Sequence, residues 1–245
     1  MPVTGNNQIL HNLSIRITAD GFSFLVTEAL SGDIAYREDF KAPNTEQQLQ
    51  LLTQHIASPA LAHYIYNNVR VIVDSPTTCV PASEADHEDL PLLYQRVFST
   101  THTGQEHVCS TPIEALDTVL LYSIPNAIYY TLLQYYPEAT LCSGYALVLQ
   151  RMAAYCRQNP SPAQPLLAEL TDKQLYVFSI HHDKLLFANS FQADNEHDAL
   201  FFLLSVWKEL QLDAHQNSCF IAGNTAEAKH LRDEVRNYIL HVESL

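Results

Sequence analysis

The segment Leu13–Phe40 constrains the fold of this chain more than any other stretch. Its apolar side chains fall on alternate positions, first at Leu13, Ile15 and Ile17, then at Phe22, Phe24 and Val26. Asp20-Gly21 and Ser31-Gly32-Asp33 interrupt this alternation. Period-two patterning broken by such residues is typical of β-hairpins. The sequence therefore predicts three consecutive strands joined by two tight turns.

Helices and further strands alternate after this opening. Asn44 caps a predicted helix that runs to about Ile56, and the β-branched run Val69–Asp74 reads as a buried strand. Ser83–Phe98 reads as one or two helices, and Ser99–Thr111 as a loop or edge hairpin. A strand at Asp117–Ser123, a helix from Asn126, a short extended piece at Ala139–Cys142 and a helix at Ser143–Gln158 complete this half.

The second half repeats the plan of the first after the proline-dense stretch Asn159–Pro165. We predict a strand at Gln174–Ile180, a turn at His181–Lys184 and a strand at Leu185–Phe191 that continues into a third. A helix at Glu196–Leu210, a strand at Ser218–Ala222 and a helix capped by Thr225 follow. The two halves share this order of elements and negligible sequence identity.

This order predicts the fold class. Three strands in a meander, followed by helix, parallel strand and helix, are the order of a ribonuclease H-like unit, a mixed α/β sheet flanked by helices. Two tandem units of this kind make the actin-like ATPase architecture, with a cleft between the lobes. We expect a first lobe at residues 1–160 and a second, shorter lobe at residues 166–245.

Charge and composition narrow the classes of partner. Thirteen basic and 27 acidic residues give a formal charge of -14, which disfavours nucleic acid and anionic lipid as partners. The chain has no apolar run approaching the roughly 18 residues of a membrane span and no signal-peptide pattern, so we expect a cytoplasmic protein without membrane insertion. The five cysteines are widely spaced without a CxxC pair, which is typical of free thiols.

Four short motifs resemble a known family. They are Thr77–Pro81 after the Val69–Asp74 strand, Tyr122–Asn126 before a helix, the turn Pro137–Thr140, and Ala222-Gly223-Asn224 near the end. The chain resembles an uncharacterised family from Bacteroidetes-type bacteria, a domain of unknown function described as having an actin-like ATPase fold. The resemblance covers nearly the whole chain, and it implies that fold without an established activity.

An actin-like ATPase needs a phosphate loop in the first hairpin of each lobe and a glycine pair near the end of the second. Glycine lets backbone N–H groups approach phosphate, and nearby acids hold Mg²⁺ through water. Asp20, Gly21 and Ser23 partly fit the first loop, and Gly223 supplies one glycine of the pair. The turn His181–Lys184, taken as the second loop, lacks glycine. If ATP and Mg²⁺ bind, these four residues are the expected binding residues.

Other chemistries have weaker support in the sequence. A ribonuclease H-like nuclease would gather Asp20, Asp74 and Glu46 around Mg²⁺, but the net charge of -14 and an expected absence of basic residues near these acids oppose it. His102, Glu106, His107 and Cys109 are candidate metal ligands without a zinc-specific spacing. His181 and His182 would face opposite sides of a strand. A Cys–His nucleophile stays open, and Tyr130 and Tyr135 are expected at the surface.

The sequence thus favours a cytoplasmic interaction or scaffold protein with a degenerate nucleotide-binding site and a protein partner of unknown identity. We assign no catalytic residue and no metal ligand. The alternative hypothesis is an ATP-binding protein or weak ATPase that uses the cleft between the lobes through Asp20, Gly21, Ser23 and Gly223.

Overall fold

A computed structural model describes residues 9–85, 89–98, 105–171, 174–223 and 225–245 of the chain. The chain divides into two compact units. The first comprises Met1–Thr111 and Val119–Gly144, and the second comprises Pro112–Thr118 and Tyr145–Leu245. Each unit is described below by itself.

The elements of the first part of the chain run in this order: β1 (Leu10–Thr18), β2 (Gly21–Glu28), β3 (Ile34–Lys41), α1 (Thr45–Ile56), α2 (Pro59–Ala62), β4 (Ile65–Val73), β5 (Thr77–Pro81), α3 (Ala82–Ala85), α4 (Leu90–Val97), β6 (Glu106–Ile113), a 3-10 turn (Glu114–Leu116), β7 (Thr118–Pro125), α5 (Asn126–Tyr135) and β8 (Thr140–Ser143). The second part contains α6 (Gly144–Gln158), β9 (Leu166–Thr171), β10 (Gln174–His181), β11 (Lys184–Gln192), α7 (Glu196–Glu209), β12 (Ser218–Ala222), α8 (Ala226–Val235) and β13 (His241–Ser244).

The first unit is built on a five-stranded mixed sheet with the strand order β3-β2-β1-β4-β8. The first three strands pair antiparallel, whereas β4 and β8 run parallel to β1. Ile15, Ile17, Phe24, Val71 and Val73 point to one face of this sheet, where they are buried with residues of α1 and α5. The alternation in Leu13–Phe40 therefore buries one face of a meander, and the predicted three strands and two turns are confirmed.

An insertion between β4 and α5 carries a second, three-stranded sheet with the order β5-β7-β6. The sequence assigned β5 and β7 as extended segments but read the region of β6 as a loop or edge hairpin. Its residues Glu106–Ile113 form an edge strand paired with β7, in agreement with the hairpin alternative, while residues 99–104 of the predicted segment lie outside the described residues. The sequence of β6 is polar, and half-buried strands need few apolar residues.

The second unit is built on a sheet with the strand order β11-β10-β9-β12-β13. Here too the first three strands pair antiparallel, and β12 runs parallel to β9 and β13. Position by position, this order repeats that of the first sheet. The predicted fold class, two ribonuclease H-like units in an actin-like ATPase architecture, is confirmed by this repeated strand order and by the structural match described below.

The strand order predicted for the second unit is wrong, because it omits the first strand. The sequence placed the first strand of this unit at Gln174–Ile180, but the first strand is β9, Leu166–Thr171, directly after the proline-dense stretch. The strand β10 is second and β11 is third, so nothing continues from β11 into another strand of the hairpin. The turn His181–Lys184 therefore corresponds to the β2–β3 turn of the first unit. It does not correspond to the turn at Asp20-Gly21.

The helix α6 belongs to the second unit except for its first residue, Gly144. The ring of Tyr145 contacts those of Tyr176 and Phe178 on β10, and Tyr155 contacts Phe220 on β12. Through these contacts α6 covers one face of the second sheet. The helices α7 and α8 pack on the opposite face, where their side chains form a hydrophobic core with the strands. The helix α6 is therefore grouped with the second unit, because its buried side covers β10 and β12.

β2 and β3 approach each other closely at Gly21, so we predict that a larger residue there destabilises the fold. A Cβ at Gly21 would lie 2.0 Å from the carbonyl oxygen of Phe40. Gly21→Ala must therefore displace backbone, and we expect it to lower the free energy of unfolding by about 3 kcal/mol. Urea denaturation measures this change.

Gly32→Ala is the matched control. Gly32 has a φ of +77°, but nothing lies within 4 Å of its Cβ position. Gly32→Ala introduces backbone strain alone, and it should lower the free energy of unfolding by about 1 kcal/mol. Equal losses in the two variants would contradict the collision with Phe40.

Candidate functional site

The turn between β1 and β2 holds the first two predicted binding residues. The Thr18 hydroxyl donates to Asp20 Oδ1 at 2.9 Å, and Asp20 is exposed. Gly21 is buried, and its lack of a side chain is explained by the nearby carbonyl of Phe40. The glycine is therefore accounted for by strand packing without a phosphate ligand.

A buried amide closes this turn from inside. Gln48 of α1 is 4% exposed, and its Nε2 donates to the carbonyl oxygens of Thr18 at 3.0 Å and Gly21 at 2.5 Å. The N–H of Ala42 donates to the carbonyl of Asp20 at 2.8 Å. The turn is thus fixed by contacts to α1 and to the end of β3, and its shape does not depend on a ligand.

Ser23, the third predicted residue, lies two positions further along β2. It pairs with Arg16 on β1 and Asp39 on β3, on the face opposite to the buried Phe22 and Phe24. The structure therefore brings Asp20, Gly21 and Ser23 together in one hairpin. Gly223, the fourth residue, belongs to the other unit.

The carboxyl end of β4 carries the most polar cluster of the first unit. Asp74 directly follows β4, and its N–H donates to the carbonyl of Ile17 at 2.8 Å. Arg16 Nε donates to Asp74 Oδ2 at 2.5 Å, and the two side chains are 37% and 20% exposed. This carboxylate, a candidate Mg²⁺ ligand of the nuclease hypothesis, is therefore engaged by a guanidinium of the chain itself.

The end of β8 meets the same cluster. A Cβ at Gly144 would lie 1.9 Å from Asp74 Oδ1, so only glycine leaves room for this carboxylate. Thr77 Oγ1 and Ser143 Oγ form a hydrogen bond of 3.1 Å beside it. Ligands of open α/β sheets bind at the carboxyl ends of the strands. In this unit that end carries the Arg16–Asp74 ion pair and the Thr77–Ser143 hydrogen bond.

Gly223 ends β12 of the second unit in a left-handed conformation, with a φ of +102°. Arg232 of α8 is 7% exposed, and its Nη1 donates to the carbonyl oxygens of Ile221 at 2.9 Å and Gly223 at 2.8 Å. The bend at Gly223 is thus held by a buried guanidinium. Asn224, the next residue of the predicted motif, lies outside the described residues.

A cavity of about 290 Å³ adjoins Gly223. Arg151 and Glu169 form an ion pair on its wall. The remaining lining residues are mostly apolar: Met152, Tyr155, Ala222, Gly223 and Leu245. Its size is at the lower limit of small-molecule sites. The cavity could admit a small ring system, but its lining lacks the glycine-rich backbone that cradles phosphates.

The corrected strand order moves the second phosphate-loop position. The position equivalent to Asp20-Gly21 is the β9–β10 turn between Thr171 and Gln174, whose residues 172 and 173 lie outside the described residues. The sequence there is Asp172-Lys173, which contains no glycine. A glycine is therefore missing at the equivalent turn as well.

The candidate metal ligands around β6 do not form a site in the part of the chain that the structure describes. Among those residues no group of three His, Cys, Asp or Glu side chains could hold a metal ion. The ring of His107 stacks on Tyr129 at 3.7 Å, and burial lowers the pKa of this imidazole. Glu106 accepts from the Ser123 hydroxyl at 2.6 Å. His102 lies outside the described residues.

Four of the five thiols give no support for a cysteine nucleophile. Burial raises the pKa of Cys109 and Cys156 to about 11 and that of Cys219 to about 12. Burial also raises the pKa of the Cys142 thiol. Thiolates, not thiols, attack substrates, so these four side chains are poor nucleophiles near neutral pH.

The adjacent histidines differ from their expected geometry. His182 and Asp183 have φ values of 51° and 56°, so the chain leaves the strand at His182. The two imidazole rings therefore lie on the same side, with centroids 3.9 Å apart. The expectation that His181 and His182 face opposite sides is wrong, because it assumed a continuing strand. Tyr130 and Tyr135 are exposed, as predicted.

Sequence reasoning missed Arg16, Gln48 and Arg232. Two of them left a signal, because they occupy the apolar stripe of a helix. Gln48 shares the buried face of α1 with Leu52 and Ile56, and Arg232 lies between the buried Leu231 and Val235 of α8. A polar residue on a core stripe indicates a buried hydrogen bond.

We predict that the buried guanidinium of Arg232 stabilises the fold. Arg232→Met retains the apolar stem but leaves the carbonyls of Ile221 and Gly223 without these donors. We expect the free energy of unfolding to fall by about 3 kcal/mol in urea denaturation.

Arg236→Met is the control from the end of the same helix. Arg236 is 52% exposed and pairs with Asp233 at the surface, so its loss should cost less than about 1 kcal/mol. A similar small loss in both variants would show that Arg232 does not hold the bend at Gly223.

Comparison with known proteins finds solved structures of similar architecture. Over its full length the chain is similar to a protein from Bacteroides thetaiotaomicron with an actin-like ATPase fold and unknown function, at 21% identity, a TM-score of 0.79 and 94% coverage of that protein. It is also similar to the PilM–PilN type IV pilus biogenesis complex at 11% identity and a TM-score of 0.53, with 96% of this chain and 88% of that chain covered.

These identities establish the fold alone. A comparison with curated protein sequences finds no match. The sequence profile of the family described as "Protein of unknown function (DUF3822)" matches residues 4–242. This chain, with its repeated ribonuclease H-like sheets, therefore belongs to that family of actin-like proteins of unknown function.

Proposed function

We propose that this protein is a non-catalytic interaction or scaffold protein with a degenerate nucleotide-binding site. The observation that carries the proposal is the Arg16–Asp74 ion pair at the carboxyl ends of β1 and β4. In a catalytic ribonuclease H-like or actin-like site, acids at the ends of such strands hold Mg²⁺. Here the acid is bound to a cation of the chain itself.

The electrostatics of this pair oppose metal binding. A cation at the Asp74 carboxylate would have to displace Arg16 or share the carboxylate with a second positive charge. The backbone at Gly144 also approaches this carboxylate closely, because a Cβ there would lie 1.9 Å from Asp74 Oδ1. Asp20, the other acid of this region, accepts from Thr18 in its own turn.

The second unit supports the same proposal through a different contact. Gly223 provides a single glycine, and its carbonyl accepts from Arg232. The turn between β9 and β10 contains no glycine in its sequence. Two of the three elements that an actin-like ATPase requires are therefore incomplete, and the remaining glycine, Gly21, has a packing role.

A protein partner is the class of ligand that these features favour. The PilM chain of the type IV pilus complex shares this fold and is found in a complex with PilN. The present chain exposes Tyr130 at 62% and Tyr135 at 39% along α5, and tyrosine is enriched in protein interfaces. The formal charge of -14 disfavours nucleic acid, and no described helix is long and apolar enough to cross a membrane. We assign the protein to the cytoplasm as part of this proposal.

ATP binding is the second candidate function. It is favoured by the left-handed Gly223 beside a cavity of about 290 Å³. In that case Asp20, Gly21 and Ser23 of the first unit and Gly223 of the second are the proposed binding residues. The two proposals differ in whether ATP changes the stability of the fold.

Thermal unfolding with millimolar Mg-ATP tests the proposal. A ligand present at about 100 times its dissociation constant stabilises the native state by roughly 2.7 kcal/mol. The non-catalytic role predicts an unchanged melting temperature and no release of phosphate from ATP above a protein-free blank.

Asp20→Ala and Asp33→Ala provide the matched pair for this experiment. Both aspartates are exposed in turns of the first hairpins, but only Asp20 lies at the phosphate-loop position. A rise in melting temperature that Asp20→Ala abolishes and Asp33→Ala retains would contradict the proposal and establish ATP binding.

A further inference from the structure

The two sheets end in equivalent edge strands with different chemistry. β3 is the edge of the first sheet and β11 the edge of the second, and among the described strands each pairs with one neighbour. β3, with the sequence IAYREDFK, has four charged residues out of eight. β11, with the sequence KLLFANSFQ, has a single charged residue, Lys184, at its first position.

This difference matters because exposed strand edges pair with other strands. Natural proteins protect such edges with charged side chains, proline, bulges or short strands. β3 has the charges, whereas β11 has nine residues and no proline. A bulge lies near the start of β11, where Ser179 pairs with Phe187 and Ile180 with Leu185, so Phe187–Gln192 forms a regular, unprotected segment.

The backbone of this segment presents hydrogen-bonding groups outward. The N–H of Ser190 donates to Asn189 Oδ1 at 2.8 Å and not to β10, so a new strand can pair here once it displaces this side-chain amide. Because backbone groups of a strand alternate in direction, Ala188 and Gln192 also present theirs outward. Three outward-facing residues within Ala188–Gln192 are enough to begin a new antiparallel ladder.

Apolar groups flank the same edge. Leu186 in the bulge of β11 is 48% exposed. Phe191 of β11 stacks on Phe202 of α7, and the neighbouring Phe201 is 65% exposed. A strand added to β11 would therefore find exposed apolar surface beside the ladder, which favours association.

The charges at the two ends of β11 indicate which strand fits. Lys184 begins the strand, and the exposed Asp194 follows its other end. They lie about 30 Å apart along an extended chain, too far to interact within one molecule. In an antiparallel copy of the same strand, however, Lys184 of each chain approaches Asp194 of the other. The edge is thus complementary to itself, as a two-fold interface requires.

We propose that a second copy of this chain pairs with β11 in an antiparallel, two-fold homodimer that joins two sheets edge to edge. The two Lys184–Asp194 pairs set the register, the segments around Ser190 form the central ladder, and the two Phe201 rings add apolar contact. This inference concerns self-association and stands apart from the proposed loss of nucleotide chemistry.

Sedimentation equilibrium of the full chain over a range of concentrations tests the proposal. We expect a monomer–dimer equilibrium for the unmodified chain. Lys184→Glu places two acids together at each end of the interface, and it should raise the dimer dissociation constant by about tenfold. The double variant Lys184→Glu/Asp194→Lys exchanges the charges and should restore the original constant.

Two further variants make the test specific. Phe201→Ser should weaken the dimer, whereas Gln50→Lys, at an exposed position of α1 in the first unit, should leave it unchanged. Circular dichroism checks that each variant is folded. A chain that stays monomeric at all concentrations would overturn the proposal. A dimer that is insensitive to Lys184→Glu and Phe201→Ser would also overturn it.

Discussion

The architecture depends on one constraint, the central position of the first strand in each sheet. β1 must pair with β2 on one side and with β4 on the other, and β9 must pair with β10 and β12. The antiparallel neighbour comes from a local hairpin, but the parallel neighbour arrives only after a long connection. The ends of β1 and β4 therefore meet at Asp74, and the ends of β9 and β12 meet beside Gly223. Both candidate sites are products of this pairing.

Prediction from sequence succeeded where structure is local. Leu13–Phe40 was assigned correctly, because hairpin turns and alternation are visible within a few residues. β9 was missed, since it is a short apolar segment next to a proline-dense stretch and its parallel partner β12 lies far along the chain. That one omission shifted the count of strands and placed the second phosphate loop at His181–Lys184 instead of the preceding turn.

The candidate site was less predictable, because its contacts join distant residues. Asp20, Gly21 and Gly223 could be placed at turns. No local pattern indicates that Gly21 makes room for Phe40 or that Arg16 pairs with Asp74, 58 positions away. Gln48 and Arg232 were visible as polar residues on apolar helix faces. Their partners, the carbonyl oxygens of strand ends, became evident only in the folded chain.

Together these contacts support the proposal that the fold keeps the frame of an actin-like ATPase without a working nucleotide-binding site. The most direct measurement is an NMR titration of the labelled chain with Mg-ATP, following the backbone amides of Asp20, Gly21 and Gly223. The account predicts that these three signals stay unchanged into the millimolar range. Saturable shifts at Gly21 or Gly223 would contradict it, because they would show that the nucleotide binds at a predicted binding residue.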